Sequence, residues 1–170
     1  MEKVKEYTKS VLIALILALG VRATIVSAYV IPTGSMRPTI VENDRIMGNK
    51  FIYFFVDPEP GDIVVFTPPE AAHTDAPRFV KRVIGVEGDW IEVKNGNVFR
   101  NGSPLSEPYI EQAPDYTLPL FRVPDGQVFV LGDNRRNSLD SHVWGFLPKQ
   151  AIFARAMFRY WPLSRMGLVE

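Results

Sequence analysis

The stretch WIEVKNGNVFR, residues 90–100, holds two short runs rich in β-branched and aromatic side chains on either side of Asn95-Gly96. Both central positions of a two-residue hairpin turn need positive φ, which asparagine and glycine tolerate, so this pair predicts a β-hairpin. The same grammar extends in both directions. GDIVVF (61–66) is an apolar run opened by Pro60-Gly61, and RFVKRVIGV (78–86) is apolar apart from Lys81-Arg82. GQVFVLGDN (126–134) is a strand stopped by glycine; AIFARAMFRYW (151–161) fits strand or helix, and its Phe, Ile and Tyr content favours strand. FIYFFV (51–56) reads as a further buried strand, with contact to lipid as the alternative. The expected fold is mainly β: an antiparallel β-sheet catalytic core carrying one N-terminal transmembrane helix and a small inserted region.

The insertion is marked by Pro104, Pro108, Pro114, Pro119 and Pro124, which break any long regular element between 101 and 125. The expected division is a cytoplasmic N-terminus (1–9), a membrane anchor (10–30), a β-rich core (31–94 and 126–170), and an inserted hairpin and proline-rich flap (95–125). The anchor is expected because VLIALILALGVRATIVSAYVI, residues 11–31, has a single charge at Arg22 and about the 20-residue length that crosses a bilayer. Lys3, Lys5 and Lys9 precede it and favour a cytoplasmic N-terminus with the remainder outside. A charge at the bilayer centre costs about 2.5–3.5 kcal/mol. Hydrocarbon is therefore expected to cover mainly residues 7–21, with 22–31 rising through the outer headgroup layer. Val26-Ser27-Ala28 also resembles the small-residue end of a cleavable leader, and a buried helix is the third reading.

Of the 170 residues, 46% are hydrophobic, enough for one domain of ordinary size. Nineteen basic and nineteen acidic residues cancel, which gives no sign of nucleic-acid binding. With no cysteine and only His73 and His142, disulfides, thiolate metal sites and histidine-rich metal sites are not expected.

Three stretches carry candidate chemistry. IPTGSMRPTI (31–40) leaves the apolar segment and holds Ser35 between Gly34 and Met36, braced by Pro32 and Pro38. A serine needs a base to become nucleophilic, and alone this one reads as a turn residue. Lys81 has Phe79, Val80, Val83 and Ile84 around it. Apolar burial disfavours the ammonium and makes a lysine a usable base. Arg82 faces the other side of the strand and stays protonated. GDNRRNSLDSHVWG (132–145) packs Asp133, Asn134, Ser138, Asp140, Ser141 and His142 into a loop after a strand. Asp140 with His142 leaves a Ser-His-Asp arrangement open, although no G-x-S-x-G elbow surrounds Ser35. His73 reads as an exposed loop residue.

Taken together and in this order, the stretches resemble the bacterial type I signal peptidases, membrane-anchored Ser/Lys proteases. The resemblance runs from the anchor to about Trp161 and includes GDIVVF and WIEVKNGNVFRNG. It implies Ser35 as nucleophile, Lys81 as general base and Thr33 as a side-chain oxyanion donor. Ser138 would orient the lysine, Asp140 and Arg82 would support the site, and Tyr29, Ile31, Phe79 and Val80 would line the pockets for small substrate side chains. It implies no cofactor. As partners it implies preprotein signal peptides, the lipid bilayer and the secretion translocon. As location it implies the cytoplasmic (inner or plasma) membrane, single-pass, with the catalytic domain on the extracytoplasmic side. One departure is His142, where the family usually carries arginine. Rival readings are a specialised relative that matures a pilin or conjugation protein, and an anchored β-domain that binds without catalysis.

Overall fold

A computed structural model describes residues 7–15, 20 and 26–170. Residues 7–15 are helical, and among the described residues no helix is long and apolar enough to cross a membrane. Residues 16–19 and 21–25 of the expected anchor, Arg22 among them, lie outside the described residues. The end of that anchor does not continue as helix: Val26–Val30 is strand β1, paired antiparallel with β2 (Arg45–Asn49), Val26 opposite Asn49. The apolar run that looked like one segment thus holds two states. Its last residues, VSAYV, find an open sheet edge whose ladder satisfies their backbone.

Ten further strands follow: β3 (Ile63–Phe66), β4 (Phe79–Val86), β5 (Trp90–Lys94), β6 (Asn97–Arg100), β7 (Ser103–Pro104), β8 (Leu118–Arg122), β9 (Gln127–Leu131), β10 (Leu147–Pro148), β11 (Ile152–Trp161) and β12 (Gly167–Leu168). The large antiparallel sheet runs β1-β2-β11-β3-β4-β9-β10, with β12 on β11. β3 and β4 lie at its centre. All four residues of β3 are buried, as are Lys81 to Gly85 of β4, so these strands show no alternation of buried and exposed residues there, and two buried residues of β4, Lys81 and Arg82, are charged types. The second sheet, β7-β6-β5-β8, is built on the expected hairpin, with Asn95 and Gly96 at φ 51° and 75°. It starts at Trp90: β5 pairs with β6 and β8 in this sheet and not with any strand of the large one.

Three apolar clusters hold the fold. Val64, Phe66, Val83, Val130 and Leu147 fill one. Ile31, Met36, Ile40, Ile46 and Ile63 fill the one beneath the IPTGSMRPTI turn. Ile84, Ile91, Val93, Val98 and Phe129 join the two sheets. FIYFFV is neither strand nor buried: Ile52–Phe54 is a 3-10 turn with Phe51, Phe54, Phe55 and Val56 exposed. The Asn49 side chain causes this. Its Oδ1 accepts from the N–H groups of Phe51 (2.8 Å) and Ile52 (3.2 Å), turning the chain out of β2. Ile52 and Tyr53 are half-buried, and Tyr53 donates to Asp62 at 3.0 Å.

Candidate active site

The turn between β1 and β2 is held from below and from the side. Met36 (1% exposed) and Ile40 (fully buried) anchor it in the core, and Ile31 N–H donates to Asp44 O at 3.0 Å. From the side, Asn134 donates its backbone N–H to Ser35 O (3.1 Å) and its amide Nδ2 to Gly34 O (3.0 Å). The carbonyls beside the serine are thus fixed by the loop after β9, from about a hundred residues further along the chain.

On β4, residues 81 and 82 project to opposite sides. Lys81 is 3% exposed, and its Nζ donates to Ser35 Oγ at 2.7 Å and to Val80 O at 3.0 Å. Burial pushes the lysine down to about 8, while the negative charges of Asp140 and Asp133 pull it back up. Thr33 Oγ1 lies 3.5 Å from Ser35 Oγ. The cleft around the pair has a volume of about 340 Å³. Ile31, Pro32, Thr33 and Gly34 wall one side, Phe79 and Val80 the other, and Asn137 and Leu139 come from the loop. A serine hydroxyl against a buried, readily neutralised amine in an apolar cleft is equipped for acyl transfer.

Of the supporting residues, Arg82 is buried and grips Asp133 with two bonds of 2.8 Å (Nε and Nη2), and Asp133 accepts from Thr39 at 2.5 Å. Arg82 therefore braces the loop through Asp133, not Asp140. Asp140 is fully buried and accepts from Gly132 N–H at 2.8 Å and from both the backbone N–H (3.1 Å) and Nδ1 (2.7 Å) of His142. His142 is thus bonded to Asp140. Ser138 packs beside Gly132, but its Oγ makes no hydrogen bond to the lysine; the bonds of Lys81 go to Ser35 and Val80. Tyr29 does not wall the cleft. It packs against Phe153, and the Arg78 guanidinium, which does reach the cleft, lies over both rings. His73 is exposed, as expected. Asp133 and Asn134 belong to the candidate stretch after the strand, but the sequence assigns neither a role, and nothing in it points to Arg78.

The chain matches the family described as signal peptidase, peptidase S26, over residues 4–161. It is 49% identical to the "Probable signal peptidase I-1" of Synechocystis sp., covering 96% of this chain and 86% of that protein. It is 34% identical to "Signal peptidase I S" of Bacillus subtilis, covering 97% and 93%. A crystal structure of a signal peptidase I from Enterococcus faecalis superposes with a TM-score of 0.51 at 27% identity, over 59% of this chain and 97% of that one.

Proposed function

The chain belongs to the signal peptidase family, peptidase S26, and we propose that Ser35 and Lys81 perform its reaction at a membrane surface. The reaction is serine-type hydrolysis that removes signal peptides from preproteins. Lys81, once neutral, takes the Ser35 proton across the 2.7 Å contact as the hydroxyl attacks the scissile carbonyl. The Ser35 N–H and the Thr33 hydroxyl meet the oxyanion, a kind of donor worth about 2.7–4 kcal/mol when well placed. Lys81 then gives the proton to the departing amine and activates the water that releases the acyl group from Ser35. Ile31, Phe79 and Val80 leave room in the cleft for small side chains before the cut.

The observation that carries this reading is the close contact of Ser35 with a lysine that is both buried and pushed down to about 8. Single substitutions Ser35→Ala and Lys81→Ala, assayed on a preprotein, are expected to lose roughly 10⁴-fold or more in kcat. Cleavage at the wild-type rate by both would overturn the reading.

The apolar run ahead of Val26 is assigned as a single-pass anchor in the cytoplasmic membrane, its lysines inside and the β-domain outside. Support comes from register: Val26, where that run meets the sheet, pairs with Asn49, whose side chain caps the turn exposing Phe51, Phe54 and Phe55. Aromatic rings placed there suit the water–lipid boundary. The bilayer and the secretion translocon that threads preproteins into it are the partners this placement implies.

A further inference from the structure

Outside the Ser35–Lys81 pair, several contacts tie the proline-rich strap, residues 105–116, to the loop after β9 and to β4. Glu107 makes a two-pronged, buried pair with Arg135 at 2.7 and 2.9 Å. The ring of Tyr109 lies 3.8 Å from the Arg82 guanidinium, and Arg136 donates to Ala113 O at 2.9 Å. The fourth contact differs in kind. Tyr116 lies flat on His142, ring centroids 4.1 Å apart and planes 9° from parallel. There the strap touches a side chain that itself holds the carboxylate coupled to Lys81.

Asp140 is fully buried, and its donors fix where its charge points. Three are present, and His142 supplies two: its backbone N–H and its ring Nδ1. The third, Gly132 N–H, belongs to a residue packed against the carbonyl of Ser35. We propose that Tyr116 and His142 are a positioning pair for the catalytic base: the strap holds the imidazole against Asp140, and the imidazole sets how that carboxylate faces Gly132 and Lys81. The inference rests on the assignment of Lys81 as base.

The electrostatics give it a sign. The field of Asp140 favours the charged form of Lys81, in opposition to burial. A ring donor or cation on Asp140 tempers that field and frees the base at lower pH; without the ring, the two backbone donors still keep the carboxylate charged and its field on Lys81 stands untempered. The charged and titratable groups around the imidazole are few. Asp140 caps the short helix Ser141–Trp144 that carries it, and Tyr116 stands over it with Asp115, Glu107 and Arg135 nearby. The helix also packs on β9, which has no titratable residue, and on the turn Glu70–Ala72, which brings Glu70.

The test is the pH dependence of kcat/KM for preprotein cleavage by the full chain. His142→Ala is expected to move the acid limb up by about half a pH unit, and His142→Arg to stay active and move it down by about as much. Tyr116→Ala should shift the limb in the direction of His142→Ala with kcat lowered more than KM is changed, and Tyr116→Phe, which keeps the stack, should restore it. The double variant Tyr116→Ala/His142→Ala should be no worse than His142→Ala alone. Rates are divided by the folded fraction measured at each pH, so a less stable variant still reports. A limb that Tyr116→Ala leaves in place, or losses that multiply in the double variant, would overturn the pair. Lys81→Ala in the same assay separates the two assignments. If it cleaves normally, the base assignment fails. If it is inactive while the Tyr116 and His142 variants keep the wild-type limb, only the pair fails. Inactivity of His142→Ala and His142→Arg as deep as that of Lys81→Ala would make the histidine the base and overturn both.

Discussion

A lysine that is 3% exposed carries a cost in the folded state as well as a use. Its fall from 10.5 to about 8 corresponds to roughly 3 kcal/mol, at about 1.36 kcal/mol per pH unit. The sign follows from the folded value lying below the unfolded one. Below pH 8 both states are protonated and the whole cost falls on the fold; it fades between about 8 and 10.5 and is gone above. Lys81→Met is therefore expected to be inactive yet more stable than wild type at pH 7, with the gain vanishing near pH 10.5, as read by denaturant melts across that range. An equal gain at both pH values would mean that packing, not charge, is responsible. Catalysis uses the same shift in the other direction: kcat/KM should rise with pH through about 8, where the amine loses its proton.

At the scale of elements, the site is a junction of a turn, a strand and a loop, and Gly132 is where they meet. A Cβ on Gly132 would run into Ser138 Oγ and the carbonyl of Ser35. Gly132→Ala is expected to cost about 1–3 kcal/mol in stability and at least tenfold in kcat. Gly167→Ala, at a position with open space, is expected to stay near wild type. Thermal melts and single-turnover rates on the two variants check this; equal behaviour would show the loop to be more yielding than its packing indicates.

The elements themselves were largely legible. The hairpin at Asn95-Gly96 and the apolar runs of β3, β4, β9 and β11 follow from local chemistry that the sequence displays directly. Ser35 and Lys81 were legible as a pair of types, a serine in a stiff turn and a lysine in an apolar strand. Their 2.7 Å contact was not, because strand order fixes it and periodicity carries no strand order. FIYFFV went astray for a local reason: aromatic composition favours a strand, but two hydrogen bonds to Asn49 Oδ1 outweigh it. VSAYV was absorbed into the helix ahead of it because hydropathy does not change at Val26, whereas backbone pairing does. The strap contacts could not be read at all, since Glu107 and Arg135 meet only once both sheets are assembled.

For the molecule as a whole, the aromatic turn leaves the large sheet beside Val26, the first residue of β1. Phe54 and Phe55, 77% and 72% exposed, are unusual on a surface that meets only water. The chain has no cysteine, so a single one introduced at position 54 can carry an environment-sensitive dye without ambiguity. In the full chain reconstituted into vesicles, that dye is expected to be quenched by lipids labelled near the headgroups. Emission typical of water would remove the turn from the membrane surface.

β1 is part of the rigid sheet, five residues long, or roughly 16 Å of extended chain. On the proposal that an anchor ends before Val26, this strand would act as a ruler. One end would sit where lipid stops, and the other leads directly into the turn with Ser35. A preprotein whose apolar segment also ends at the lipid boundary is then measured against the same length. The polar stretch between that boundary and the bond to be cut would be selected by distance, before any side chain enters the cleft.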